Sequence, residues 1–534
     1  MNSPSRTIES GQNFKLFAMC LLWSIVLVGT LCLLFEPRWE TNDDVGMSMV
    51  AQGFGIAAYP SPYIIFSNIL WGYFVHIFPT INGVPGYSLA TLMVLLLVAT
   101  TIQLFLIKIG VRKDFAFLLV LVIIARPTVF PQFTINAGLL TVSAVIGWNV
   151  YHRQLNVGSL ILSCIMAFLG FLIRSQEFLF VLLVALPYIP WHRIKDDRRF
   201  QLALTILVGL IAAAKAIDYF AYSTVEWDRF RSLNLIRAAY TDFGAVAQLQ
   251  KRTDILQRFG YSENDLTLIG NFFFADPSIA NPEKLQGMLS SLDTLPFLTV
   301  NSNLAIDVLS SLVDKELLPL TFLAMALNIL LPSKKNLYVW GIFIALLVFQ
   351  GVLGRPSAIR VYIPVVSFII LLSVLSSKFS SAKGIIVLLL SFSSIFMNIK
   401  ELQDESRNTK QLTGMAQSIV KQLPFDNSYV NWGAAFPFEY AYPVLDGDVE
   451  LRKVKLYSLG VFTLAPFSIA YKEEDNGEGF IKRFRSTDGI KIILKPNYLP
   501  LLKIYCKEHF GSKLNILYSE INGFYKLVTV TCRN

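Results

Sequence analysis

Long apolar runs of helical length, separated by short basic clusters, fill most of the first 400 residues of the chain. The first run, residues 14–35, reads FKLFAMCLLWSIVLVGTLCLLF and ends at Glu36-Pro37-Arg38. Further runs cover 87–108, 115–130, 137–151, 158–173, 177–191, 201–221, 313–332, 337–353, 361–377 and 384–399. At roughly 20 apolar residues per crossing, this pattern predicts an α-helical polytopic membrane protein with about eleven transmembrane helices. Arg6 precedes the first run and Lys15 lies at its start, and the run lacks the short core and small-residue cleavage site of a signal peptide. An uncleaved first span with its N-terminus inside is therefore expected.

The charges between runs set an orientation. With the N-terminus inside, the even connections carry Arg112 and Lys113; His152 and Arg153; His192, Arg193, Lys195, Arg198 and Arg199; Lys334 and Lys335; and Lys378 and Lys383. All are short and basic, as cytoplasmic loops are. The odd connections then face outward: 36–86, 130–136, 174–176, the long loop 222–312, 354–360 and everything after 400. Segment 63–78 is apolar enough to enter the bilayer, but a full crossing there would invert the later loops. It is expected to be re-entrant or interfacial.

The two longest polar stretches differ in character. Loop 222–312 holds amphipathic helical pieces such as 228–258, with turn signals at GYSEND and FADPSIANPE. The tail 400–534 has 18 Lys/Arg against 15 Asp/Glu, and helix-like stretches (406–422, 497–508) alternate with β-rich ones (428–432, 452–462, 513–519, 524–531). The expected division is a transmembrane module over 1–399, outer loops included, and a small soluble α/β domain over 400–534 on the outer side.

Composition agrees with the pattern. The chain is 54% apolar and only 16% charged, where soluble proteins have about a quarter charged residues. The net charge of +9 resides in the interhelical clusters, so no nucleic-acid partner is expected. Cys20, Cys32 and Cys164 lie in apolar runs as small hydrophobes; Cys506 and Cys532 can pair if the tail faces an oxidising compartment. With no CxxC and four scattered His, a zinc site is not expected.

The chemistry-bearing feature is Glu40-Thr-Asn-Asp43-Asp44, a few residues past the first span. Adjacent carboxylates repel, and such a pair serves as a general base for a hydroxyl or holds a divalent cation such as Mg or Mn. The plainer role is a helix N-terminus starting near Val45, where carboxylates are favourable. Arg355 and Arg360 bracket the outer turn GRPSAIR, and their rigid forks suit phosphate. Arg174 and Glu177, in Arg-Ser-Gln-Glu, are spaced to pair on one helical face. Gln132 and Asn136 can reach sugar hydroxyls or cap the loop. Lys215 with Asp218, and Glu226, Asp228, Arg231, Asn234 and Arg237 at helical spacing, read as structural or solvated faces. Trp432, Phe436, Phe438, Glu439 and Tyr440 follow a predicted strand as a candidate sugar-stacking or core cluster. No Walker A, GxSxG or HExxH motif is present.

The TNDDVGMSM segment at 41–49, in a first outer loop followed by many spans and a C-terminal outer domain, resembles the GT-C class of integral-membrane glycosyltransferases. That resemblance implies a sugar donor carried on polyprenyl phosphate. It places Asp43 or Asp44 at the reacting centre and late basic residues such as Arg355 and Arg360 on the donor phosphate; Arg174, read from its own position, would be a second donor-phosphate or acceptor contact. The acceptor would be a glycan, lipid or protein at the outer face of a bacterial plasma membrane, with the tail in the periplasm or outside. The alternatives are a transporter or flippase, a polymerase for lipid-linked glycans, or a non-catalytic scaffold. A transporter predicts charges at the bilayer midplane, whereas these charges cluster at the outer ends of the spans.

Overall fold

A computed structural model of the chain describes residues 4–292, 302–352, 358–376, 381–425 and 427–533. Helices account for most of it, and each apolar run falls on one. The N-terminal half gives α1 (Pro4–Phe35), α2 (Asn42–Gln52), α3 (Ile69–Ile77), α4 (Gly86–Lys108), α5 (Lys113–Val129), α6 (Phe133–Gln154), α7 (Val157–Ile173) and α8 (Ser175–Val184). Helices Arg198–Ala221, Leu318–Leu330, Lys334–Val352, Ile359–Leu375 and Ser381–Lys421 follow.

Among the described residues, six helices are long and apolar enough to cross a membrane, fewer than the eleven expected. They lie in α1, α4, α6, Arg198–Ala221, Lys334–Val352 and Ser381–Lys421. The other runs form shorter helices: α8 has 10 residues, Leu318–Leu330 has 13, and α5, α7 and Ile359–Leu375 have 17 each. At 1.5 Å per residue they reach roughly 15 to 26 Å, against a hydrocarbon core of about 30 Å. Helix α3 has nine residues, so segment 63–78 makes no helical crossing.

Helix α6 is the hub, buried along nearly its whole length. Small residues let its neighbours approach: Ser163 and Phe105 close on Gly147, Pro364 on Gly138, and Gly170 of α7 meets Thr141. The outermost helices, α1 and Arg198–Ala221, instead expose Leu33, Leu34, Leu202 and Val208.

The C-terminal sheet has five strands: β1 (Ser428–Trp432), β2 (Lys455–Leu459), β3 (Ile490–Leu494), β4 (Lys513–Ile521) and β5 (Lys526–Arg533). Their order is β2-β1-β3-β5-β4, with β2, β1 and β3 parallel and β5 antiparallel to both β3 and β4. Cys506 and Cys532 form a disulfide that ties helix Leu499–Phe510 to β5.

Two features cross the expected boundary at residue 400. Helix Ser381–Lys421 runs through residue 400 without a break. Loop 222–312 also shares a hydrophobic core with the tail, where Leu266, Phe273 and Leu285 cluster with Trp432, Tyr457 and Phe480. Nor is the stretch after α1 separate. Gly55 and Lys455 form a parallel β-bridge, Leu456 N–H donates to the Gly55 carbonyl at 2.9 Å, and Ala58 N–H donates to the Phe467 carbonyl at 2.8 Å.

Candidate active site

Helix α2 carries the acidic pair. Thr41 is extended and the helix starts at Asn42, so Asp43 and Asp44 fall in the first turn, where the helix dipole favours negative charge. Gly53 ends it in a left-handed conformation, φ 75°. From Asp44 to Ala51 every residue is buried, and Gly46 leaves room for the ring of Phe462 from the C-terminal domain.

The two carboxylates point to different surroundings. Asp44 has no exposed surface. It accepts hydrogen bonds from Tyr87 Oη at 3.0 Å, the Phe133 N–H at 3.1 Å and Thr41 Oγ1 at 3.3 Å. Burial and the adjacent Asp43 push its pKa up to about 8, against the pull of those donors. Asp44 thus joins α2 to α4 and α6 and does not line the cleft.

Asp43 does line the cleft, with 30% of its side chain exposed, and its carboxylate lies 3.7 Å from the Arg360 guanidinium. Burial raises its pKa above the ordinary value, while Arg360, Arg174 and Arg237 draw it down and Asp242 adds to the rise. A carboxylate held this way is a stronger base than one in water, and cations stand beside it for a second, negatively charged reactant.

The cations come from three separate elements. Arg360 opens the helix Ile359–Leu375. Arg174 sits at the junction of α7 and α8, donates to the Phe66 carbonyl at 3.0 Å and lies over the rings of Phe133 and Phe66. Arg237 comes from the loop helix Val225–Thr241. Its Nε donates to Asn234 Oδ1 at 3.0 Å, and its guanidinium lies 5.7 Å from the Phe272 ring centroid. The sequence marked Arg237 as one residue of a solvated face; only the folded loop brings it toward Asp43.

Beside Asp43 is a cavity of about 240 Å³. Its far wall is made by the turns after β1 and β2, through Gly433, Ala434, Gly460 and Phe462. Open α/β sheets place ligands outside the C-terminal ends of parallel strands, and these turns are such ends. Phe272 completes the wall in a left-handed conformation, φ 66°. Its neighbours Phe273 and Phe274 fill the core. That strain, on the order of 1 kcal/mol, turns Phe272 toward the cleft, a position no sequence pattern marks.

Other candidates go elsewhere. Gln132 is buried and caps α6, its Oε1 accepting from Thr134 N–H and Ile135 N–H. Asn136 is buried and donates to the Thr91 carbonyl at 3.4 Å. Neither lines the cavity, because helix packing encloses both. Glu177 is also buried, with Oε1 lacking a hydrogen-bond partner among the described residues, and lies within electrostatic reach of Arg174 and Arg360. Asp218 caps α3 by accepting from Ile69 N–H at 2.9 Å. Trp432 is core, whereas Phe438 reaches the cavity. Arg355 lies outside the described residues.

For a divalent cation, the pair offers one cleft-facing carboxylate, Asp43, and further ligands would come from substrate. Among the described residues, Asp265, Glu508 and His509 are the one group of three with metal-ligand spacing. There, His509 Nε2 already meets Asp265 Oδ1 at 2.8 Å.

Comparison of the chain with protein-family models, curated proteins and solved structures finds no match.

Proposed function

We infer that the chain is a multi-pass membrane glycosyltransferase of GT-C type, working at the outer face of the membrane on a sugar carried by polyprenyl phosphate. The observation that carries this reading is the meeting of one cleft-facing carboxylate, Asp43, with arginines from three distant segments beside a ring-sized cavity. A base and a phosphate-binding set at one place are what transfer from a phosphate-linked donor requires. Nucleotide sugars are mostly cytoplasmic, so a site on the outer side favours a lipid-linked donor.

In this mechanism the acceptor hydroxyl attacks the anomeric carbon while its proton passes to Asp43. The new C–O bond forms as the bond from the anomeric carbon to the phosphate oxygen breaks. Polyprenyl phosphate leaves with that electron pair, and Arg360 takes up the developing charge, supported by Arg174 and Arg237. Asp44 holds α2 in register and does no chemistry.

The test is sugar transfer from a polyprenyl-phosphate-linked donor by membranes containing Asp43→Asn. Loss of a positioned base is expected to lower the rate by about 10²–10⁴-fold. Full activity in that variant rules out the base. Arg360→Ala is expected to raise the KM for donor while leaving the acceptor KM near its starting value; equal effects on both would remove the donor-phosphate role.

A further inference from the structure

On the other side of the 53–58 segment lies a second, larger cavity of about 550 Å³. The two cavities share that segment as a wall: Ile56 borders the Asp43 side, and Gly55 and Ala57 border the other. They also border opposite parts of β2, at Ser458 and Lys455. Three residues of strand separate those positions by about 10 Å.

The second cavity is basic. Arg452, Lys453, Lys455 and Lys472 line it, and the one lining carboxylate, Glu473, is held by Arg483 at 2.6 Å. Arg452 is braced by the carbonyls of Gly83 and Asp446 and lies over the Phe54 ring. Lys453 pairs with Glu450 at 2.6 Å. Lys455 lies within electrostatic reach of Glu473, but neither Lys455 nor Lys472 makes an ion pair within 4 Å among the described residues, so both ammonium groups can meet a ligand. Phe425 and Asn476 add an aromatic face and an amide. At roughly 30 Å³ per water volume, the space is far larger than one phosphate needs and suits about two sugar rings. Its concave shape, with cations set around small and aromatic residues, favours a saccharide over a bilayer surface.

We propose that this cavity binds an anionic saccharide, with carboxylate or phosphate groups on its sugar units, as the distal part of the acceptor. The acceptor role rests on the transferase reading; the binding itself does not. Full-length protein in detergent is titrated by calorimetry with trigalacturonate and with trehalose 6-phosphate, against neutral maltotriose. At least one anionic sugar is expected to bind, more weakly as salt rises. The double variant Lys455→Gln, Lys472→Gln is expected to lose about tenfold in affinity with an unchanged Tm, while Asp43→Asn binds normally. Equal binding of maltotriose, or no loss in the lysine variant, overturns the proposal. So does lysine-dependent binding to phosphatidylglycerol vesicles without saccharide binding, which marks a lipid site. Loss of sugar binding alongside Asp43-dependent transfer refutes this cavity alone. Binding alongside Asp43-independent transfer refutes the transferase reading alone.

Discussion

Asp44 is a carboxyl group without access to water, and its substitutions separate structure from chemistry. Asp44→Asn keeps an oxygen for Tyr87 and the Phe133 N–H, so it is expected to fold and to retain most transfer activity. Asp44→Ala strands those donors and is expected to cost about 1–3 kcal/mol, read as a lower Tm in detergent. The pH dependence follows from the same burial. Between the unfolded value near 3.9 and about 8 in the fold, the folded chain holds a proton that the unfolded chain has lost. Stability is therefore expected to fall as pH rises across that window, and Asp44→Asn should flatten the slope; an unchanged slope means another group titrates. Asp43 gives an activity signature instead. Its raised pKa places the acid limb of kcat/KM above the ordinary Asp value near 3.9, because the base is lost when it protonates. Sequence alone showed two adjacent acids. It did not show which faced the cleft, since neighbours on a helix differ by about 100° in direction and only the packing of α2 assigns those directions.

At the scale of elements, hydropathy located the helices well because an apolar run is a local signal. It miscounted the crossings because length was judged by runs of residues that continue past prolines, as at Pro187 after α8 ends at Val184 and Pro332 after Leu318–Leu330 ends. Strand β3 (Ile490–Leu494) was missed because a run of five residues, four of them buried, is too short to show an alternation. The turns carrying Gly433 and Gly460 give no signal until β1 and β2 lie side by side. Helix positions can be tested through close approaches. A methyl group on Gly138 would lie 2.4 Å from Pro364 Cγ and 2.9 Å from Glu177 Oε1. Pro364 belongs to the helix that opens with Arg360, so the added volume pushes that helix off α6. Gly138→Ala is expected to cost about 1–3 kcal/mol and to slow transfer by shifting Arg360. A variant with wild-type Tm and rate would mean that Arg360 does not depend on this contact.

Across the whole molecule, the pieces that hold the site together are far apart in sequence, so no local pattern could announce them. Arg126, near the end of α5, is nearly buried and meets Glu40 of the first loop at 3.4 Å, Glu316 at 3.0 Å and Glu405 of the long helix at 3.2 Å. One guanidinium thereby joins the segment leading into α2, the approach to Leu318–Leu330 and the helix that carries the C-terminal domain. Its neighbour Arg38 adds a second positive charge nearby. Removing Arg126 leaves three partly buried carboxylates facing each other without their common partner. Arg126→Ala is therefore expected to cost roughly 3 kcal/mol, the low end for a broken buried pair because the glutamates keep some contact with water. Repulsion among the acids predicts partial rescue by Glu316→Gln in the Arg126→Ala background, whereas Glu316→Gln alone should destabilise. If the second substitution only adds to the loss, the cluster acts as separate pairs. If it rescues, one cation sets the spacing of three segments, and the placement of Asp43 depends on a contact more than 80 residues away in the chain.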